Sequence, residues 1–278
     1  MHIFTLILGL VCFQTEQTSD VIDSILREGK SNSQVMEHLD QLVNGIGPRL
    51  TSSDNDRKAC EWARDKFQSF GIENARLEQW GTFPVGFNRG PWSGELISPE
   101  KKKLDCMTMS WTPGTKGPVE GPALIAPKNA KEVTDQFKGA WIVASSRPKR
   151  AIRQALEKVG AAGIVRSGRS EVLVTGGNYG IKWESLPTQV NVYLKKSDFT
   201  SITKQIEKGT SVRLRFNIQN EFVKGPIPIY NVIADIPGTE KPEEMVIFGG
   251  HIDSWDGATG TVDNGTGVAT TLEAARLL

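Results

Sequence analysis

The sequence is short of the residues that most often announce a chemistry. It has three cysteines, Cys12, Cys60 and Cys106, and three histidines, His2, His38 and His251, in 278 residues. No Cys-x-x-Cys pair occurs, which excludes the usual zinc-knuckle and dithiol redox motifs. Cys60 and Cys106 are too few for a disulfide framework; one bridge and two buried thiols both remain open. Charge is balanced, with 33 Lys and Arg against 32 Asp and Glu, so net charge gives no support to a nucleic-acid or anionic-membrane partner. There is no Gly-x-Ser-x-Gly elbow around Ser254, no phosphate-loop motif, no internal repeat and no low-complexity tract. No stretch is long and apolar enough to cross a bilayer, so stable membrane insertion is not expected.

What is present is an ordinary soluble composition, 38% hydrophobic and 23% charged. The first residues carry an apolar run, Ile3 to Phe13, followed by polar residues from Gln14. That length suits the core of an export signal. The signal is expected over residues 1–15, although Lys and Arg are missing ahead of the run and no small-x-small cleavage site is evident. A lipid anchor on Cys12 has little support, because bulky Leu10 and Val11 precede it. The chain is therefore expected to be exported.

Helical spacing marks Asp20 to Glu28 ahead of Gly29, then Val35, Leu39, Leu42, Val43 and Ile46, then Asp56 to Phe70 with Ala59, Trp62, Ala63, Phe67 and Phe70 on one stripe. From about Pro91 to Pro122, Gly, Pro and Trp are frequent and strands are short; Lys101 to Lys103 read as a solvated turn. "GAWIVAS", a helix over Arg150 to Val159 and "AGIVRS" form a β-α-β unit. A helix from Ser197 stops at Gly209, and "SVRLRFNIQ" alternates strictly, with Val212, Leu214, Phe216 and Ile218 on one face. Asn231 to Ile236 reads as a strand and "MVIFGG" as a strongly apolar, buried one. A helix follows from Val268.

Between the last strand and the last helix lies "GGHIDSWDGATGTVDNGTG". Ligands bind outside the carboxyl ends of strands in open α/β sheets, so this loop is where chemistry would sit. An imidazole and a carboxylate are good zinc ligands. Asp253 is spaced to accept the other N–H of His251 and fix its tautomer. Asp and Gly also make plain turns, and Asp263 could equally cap the helix that follows. Asn264-Gly265-Thr266 is formally a glycosylation sequon, in a position unsuited to modification.

"NVIADIPGTEKPEEMVIFGGHIDSWD", then "GTVDNGTGVATTLEAARLL", resembles the M28 zinc metallopeptidases. "GPRLTSSDNDRKACEWARDKFQSFGI" resembles the N-terminal segment of the same family, and residues 100–220 resemble, more loosely, the protease-associated (PA) domain inserted in one of its branches. The resemblance implies an α/β zinc exopeptidase core, a mixed β-sheet flanked by helices, with a mostly-β PA-like insert. Its implied layout is a signal at 1–15, core at 16–95, insert at 96–220, and core with the start of the metal site at 221–278. It implies two Zn2+ ions per complete enzyme. His251 would be a ligand of one zinc, Asp263 the carboxylate bridging both, and Asp253 the catalytic-shell aspartate orienting His251. The family pattern continues with a Glu-Glu pair, an Asp and a His that do not occur downstream here, so the resemblance implies a C-terminally truncated chain with an incomplete core. The expected substrate is a dipeptide or short peptide cut next to a free terminus, with a homodimer compatible. A non-catalytic PA-containing binding protein and a one-zinc transferase of the glutaminyl-cyclase kind on the same core are the alternatives.

Overall fold

The computed structural model describes residues 20–278. The expected export signal and Cys12 lie outside the described residues. Among those described, no helix is long and apolar enough to cross a membrane. The architecture is mixed α/β, a large mixed sheet with flanking helices.

Two long strands organise the molecule. β1 (Arg76–Ser98) pairs antiparallel with β8 (Arg213–Ile233) along nearly their whole length, from Arg76 opposite Ile233 to Ser98 opposite Arg213. Period two explains this strand. Leu214, Phe216 and Ile218 are fully buried, each worth about 1.5–3 kcal/mol of apolar burial. The alternate face carries Arg215, which sits in register with Glu95 on β1 and Glu120 on β4 (Val119–Ile125) and bonds both, at 3.1 and 2.7 Å. Residues 95 and 220, the expected borders of the insert, both fall within this ribbon.

Beyond the ribbon, β4, β5 (Trp141–Ala144), β6 (Gly163–Ser167) and β7 (Asn191–Leu194) run parallel, closed at the edge by antiparallel β3 (Cys106–Thr108). On the opposite edge of β1 lies β2 (Lys102–Leu104), giving the order β2-β1-β8-β4-β5-β6-β7-β3. The expected β-α-β unit is here: its helix is Arg150–Val159. Ile142 and Ala144 join that helix's Ile152 and Leu156 in one core, whereas Trp141 and Val143 pack with Phe199 and Ile202 of the Lys196–Glu207 helix in another. Both faces of β5 are thus covered, as a parallel sheet requires. Lys102, expected in a solvated turn, is on the edge strand and pairs with buried Asp198 at 2.6 Å.

The remaining helices form a separate layer. Residues 20–31 are helical (α1), running past Gly29 where a stop was expected. α2 (Val35–Asp40) continues into a wider turn at Gln41–Ile46, and α3 spans Asp54–Ser69. Counting the two helices on the parallel sheet as α4 and α5, the last is α6 (Thr266–Leu277). Leu42, Val43 and Ala59 close on Val268 and Leu272 of α6. Cys60 on α3 and Cys106 on β3 are both free and buried, so no bridge joins them; burial pushes each thiol up to about 12.

One expected element is absent. Asn231 to Ile233 is only the end of β8, and "MVIFGG" forms no strand. Met245, Val246 and Ile247 are 80–93% exposed. An apolar run becomes a strand only where a neighbour takes its N–H and C=O groups, and among the described residues none lies alongside.

Candidate metal centre

The loop between residue 248 and α6 is tied down from two sides. On one side Arg49, fully buried, reaches in from the turn after α2. Its Nε donates to the Ile252 carbonyl at 2.8 Å, Nη1 to Gly47 and Thr259 carbonyls at 2.9 Å each, and Nη2 to the Gly260 carbonyl at 3.1 Å. A guanidinium presents five N–H donors in a fixed fork, so one side chain sets both ends of the loop. Gly260 has φ +64, and a Cβ there would come within 2.4 Å of the Ser254 Cβ and 2.9 Å of the Arg49 fork. Only glycine lets the loop close on the arginine.

On the other side Asp256 is the anchor. It is buried and ion-paired to buried Arg89 on β1 at 2.7 Å. Ser110 donates to its second carboxylate oxygen, and Thr175 to its backbone carbonyl. Arg89 also donates to Thr108 Oγ1 and O, at 2.8 Å each. A buried pair of this kind is tolerable because its remaining donors and acceptors are satisfied. Beside it Trp255 meets Tyr179 at 5.4 Å and Trp111 at 6.5 Å between ring centroids, so segments 107–112 and 175–181 wall this end of the loop. A cavity of about 600 Å3 opens alongside, lined among others by Ser53, Lys58, Asn88, Trp92 and Thr259. His251 and Asp263 do not line it.

Between the two anchors the three expected site residues come together. His251 Nδ1 lies 3.0 Å from Asp253 Oδ1, and His251 Nε2 lies 2.9 Å from Asp263 Oδ1. Asp263 sits in a kinked turn, Thr261–Gly265, with non-helical φ −118° and ψ 92°. It does not cap α6; no side chain caps that helix's start. Its carboxylate turns back to the imidazole instead. The second Asp253 oxygen accepts from Thr51 Oγ1 at 2.7 Å. Partial burial lowers the His251 pKa, but the hydrogen bonds and charges of Asp253 and Asp263 outweigh it and hold the ring above its ordinary value.

The donor chemistry suits a divalent ion of the zinc class: one imidazole nitrogen and one carboxylate oxygen, on side chains half or more exposed, lie 2.9 Å apart. Asp253 stands on the other side of the ring, at Nδ1. Among the described residues no group of three or more His, Cys, Asp or Glu is placed to hold a metal ion. His251 and Asp263 are the two donors found together there.

Arg49, Thr51, Arg89 and Ser110 were not singled out from the sequence. "GPRLTSS" reads as a breaker-rich turn, and nothing in its spacing tells that its arginine bonds carbonyls about 200 residues away. A lone Arg between Pro and Leu on an apolar flank is the one available signal.

Residues 231–278 match Peptidase family M28, so the resemblance carried by the loop holds. The chain is 25% identical over 279 residues to carboxypeptidase Q of Mus musculus, covering 95% of this chain and 58% of the mouse protein. It is 28% identical over 285 residues to carboxypeptidase Q of Xenopus laevis, covering 93% and 58%. It thus spans 58% of the length of these curated relatives. Among solved structures, a peptidase M28 precursor from Shewanella amazonensis superposes with a TM-score of 0.59 at 22% identity, covering 93% of this chain and 62% of that one. BSAP, a zinc aminopeptidase from Bacillus subtilis, gives 0.52 at 21% identity, covering 88% and 56%. These two likenesses concern the fold.

Proposed function

We propose that the chain carries the metal-binding loop of a zinc-dependent exopeptidase that hydrolyses dipeptides or short peptides next to a free terminus, in an exported compartment. The observation that supports this most is the convergence of His251 Nε2 and Asp263 Oδ1 at 2.9 Å, with Asp253 behind the ring at 3.0 Å. Matches to M28 and to carboxypeptidase Q favour a metallopeptidase over a binding module or a transferase.

His251 and Asp263 would hold the ion. Zinc, when bound, supplies Lewis-acid polarisation of a scissile carbonyl and activation of water. Asp253 accepts the Nδ1 proton, leaves Nε2 free as a donor atom and raises its basicity. Arg49 and Asp256 hold the loop, so ligand positions do not depend on a mobile backbone. Residues 96–220 are proposed as the PA-like unit, with Trp111 and Tyr179 shaping the wall beside Trp255.

Zinc normally takes three or four protein donors, so two give weak binding. We expect residues 20–278 to bind zinc weakly and to turn over no dipeptide. The test is zinc titration of the wild-type chain, His251→Ala and Asp263→Ala against a chromophoric chelator, beside a dipeptide panel. Weak binding lost in both variants supports the reading. Binding indifferent to both would place the metal elsewhere and end it.

A further inference from the structure

Thr51 has a geometry that a space-filling threonine would not need. A carboxylate only accepts hydrogen bonds, and a bond to one oxygen leaves it free to swing about χ2. Asp253 is bonded at both, by Thr51 Oγ1 at 2.7 Å on Oδ2 and on Oδ1 by His251 Nδ1 at 3.0 Å, a nitrogen that also lies 3.1 Å from the Asp253 carbonyl. About a third of the Asp253 side chain is exposed, so water could compete for either oxygen. The threonine hydroxyl removes one of the two places where it would.

The backbone that presents Thr51 is constrained in an uncommon way. The next residue, Ser52, has φ +71°, a left-handed conformation that disfavours any residue with a Cβ. Its amide donates to buried Asp56 at 3.1 Å and its hydroxyl to the Val85 carbonyl at 3.0 Å. Ser53 then caps α3 by accepting from the Asp56 amide. Two residues earlier, Arg49 and Ser254 bond in both directions: Arg49 N–H to Ser254 Oγ at 3.1 Å and Ser254 N–H to the Arg49 carbonyl at 2.9 Å. The turn is thus fixed against the loop on one side and against helix and ribbon on the other. Thr51 lies between these fixed points, with its hydroxyl on Asp253.

We propose that Thr51 is a positioning residue: its hydroxyl locks the Asp253 carboxylate, and through it the His251 ring, in the orientation that the metal site requires. The role in metal binding rests on the function proposed above; the locking of His251 does not. Thr51 acts through Asp253.

Three variants separate the hydroxyl from the volume. Thr51→Val keeps the shape, Thr51→Ala removes it, and Thr51→Ser keeps the hydroxyl alone. In the zinc-free chain labelled with 15N-histidine, the Nδ1–H proton of a locked His251–Asp253 bond gives a slowly exchanging low-field signal, assigned by its loss in His251→Gln. We expect it in wild type and Thr51→Ser, and broadened by exchange in Thr51→Val and Thr51→Ala alike. Zinc affinity should fall about tenfold in the latter two, in the range for lost outer-shell partners, and be kept in the serine variant. Absence of the signal from the wild-type chain, or its persistence in Thr51→Val or Thr51→Ala, overturns the proposal. If the wild type binds no zinc, the metal reading falls while the proton signal still decides the role of Thr51.

Discussion

Two four-residue apolar runs in this chain meet opposite fates. Trp141 to Ala144 on β5 is at most 3% exposed, with parallel neighbours on both sides and helices α4 and α5 on its two faces. Met245 to Phe248, just ahead of the His251 loop, is 49–93% exposed and pairs with no strand among the described residues. Both are about equally apolar. The difference is in what surrounds them. A backbone in a nonpolar place must have its N–H and C=O groups taken up, and a ladder partner is the usual means. β5 has two ladder partners and the 245–248 run has none among the described residues. Apolar character is thus a demand for burial, and only a neighbour can satisfy it.

The largest break in this contrast comes from the buried side. Trp141 is fully buried, stacks edge-on against Phe216 at 4.7 Å, and bonds the Val119 carbonyl through its indole N–H. Gly163 is a glycine because a Cβ there would come within 2.5 Å of that indole. Trp141→Ala should therefore cost about 3–5 kcal/mol, seen as a fall in the urea midpoint with the sheet's far-UV signal. A loss below about 1 kcal/mol would mean that the β5 sheet contributes little to the cooperative unit.

The alternating pattern of Leu214, Phe216 and Ile218 and the β-α-β unit are legible in the sequence because their partners are local or strictly periodic. The helical stripe of α3 is legible for the same reason: Ala59 and Ala63 are buried where the 3.6 spacing puts them. The loop's His251, Asp253 and Asp263 also converge, since a short glycine-loosened loop brings its own carboxylates near its own imidazole. What the pattern does not carry is non-local. The partners of Asp256 come from Arg89 and Ser110, and Arg49 reaches carbonyls across the fold; no periodicity encodes those pairings. The error at 245–248 has the same root, since hydropathy there is real and the missing neighbour is not a property of the run itself.

A second, smaller effect sharpens the contrast by asking what orders the exposed region's flank. α6 follows the loop and is pinned by ions as well as by Leu272. Glu273 bonds Arg276 and accepts from the Gln34 amide, and Arg276 bonds Glu28 on α1. The Arg276 bond above all holds the Glu273 carboxyl down at about 2, against 4.5 unperturbed. A carboxyl whose pKa is lower when folded stabilises above its unfolded pKa, and that contribution disappears as pH falls from about 4.5 to about 2. It is worth about 1–3 kcal/mol for this nearly buried group. Asp56 runs the other way. Burial pushes it up to about 7, so its contribution is complete below 3.8 and lost as pH rises through 7. Glu273→Gln should be less stable than wild type at pH 6, with the gap closing by pH 2–3. A gap independent of pH would assign the loss to packing.

The smallest expected effect is the most telling for the exposed run. Ile247 is 85% exposed, so replacing it by aspartate removes almost no buried area. Surface substitutions away from special features stay within about 0.5 kcal/mol. The same change at Ile142, fully buried on β5, would leave an unpaired charge in the core and should abolish folding. Ile247→Asp should therefore leave the thermal midpoint unchanged within about 2 °C while raising solubility, because an exposed run of Met245, Val246, Ile247 and Phe248 has the residues and the free backbone groups of an aggregation-prone edge. Thermal melts and light scattering of both variants at equal concentration make the measurement. If Ile247→Asp instead lowered the midpoint by well over 2 °C, or abolished the transition as Ile142→Asp should, the run would have to be buried in solution against something the fold does not supply, and the two runs would no longer be opposites.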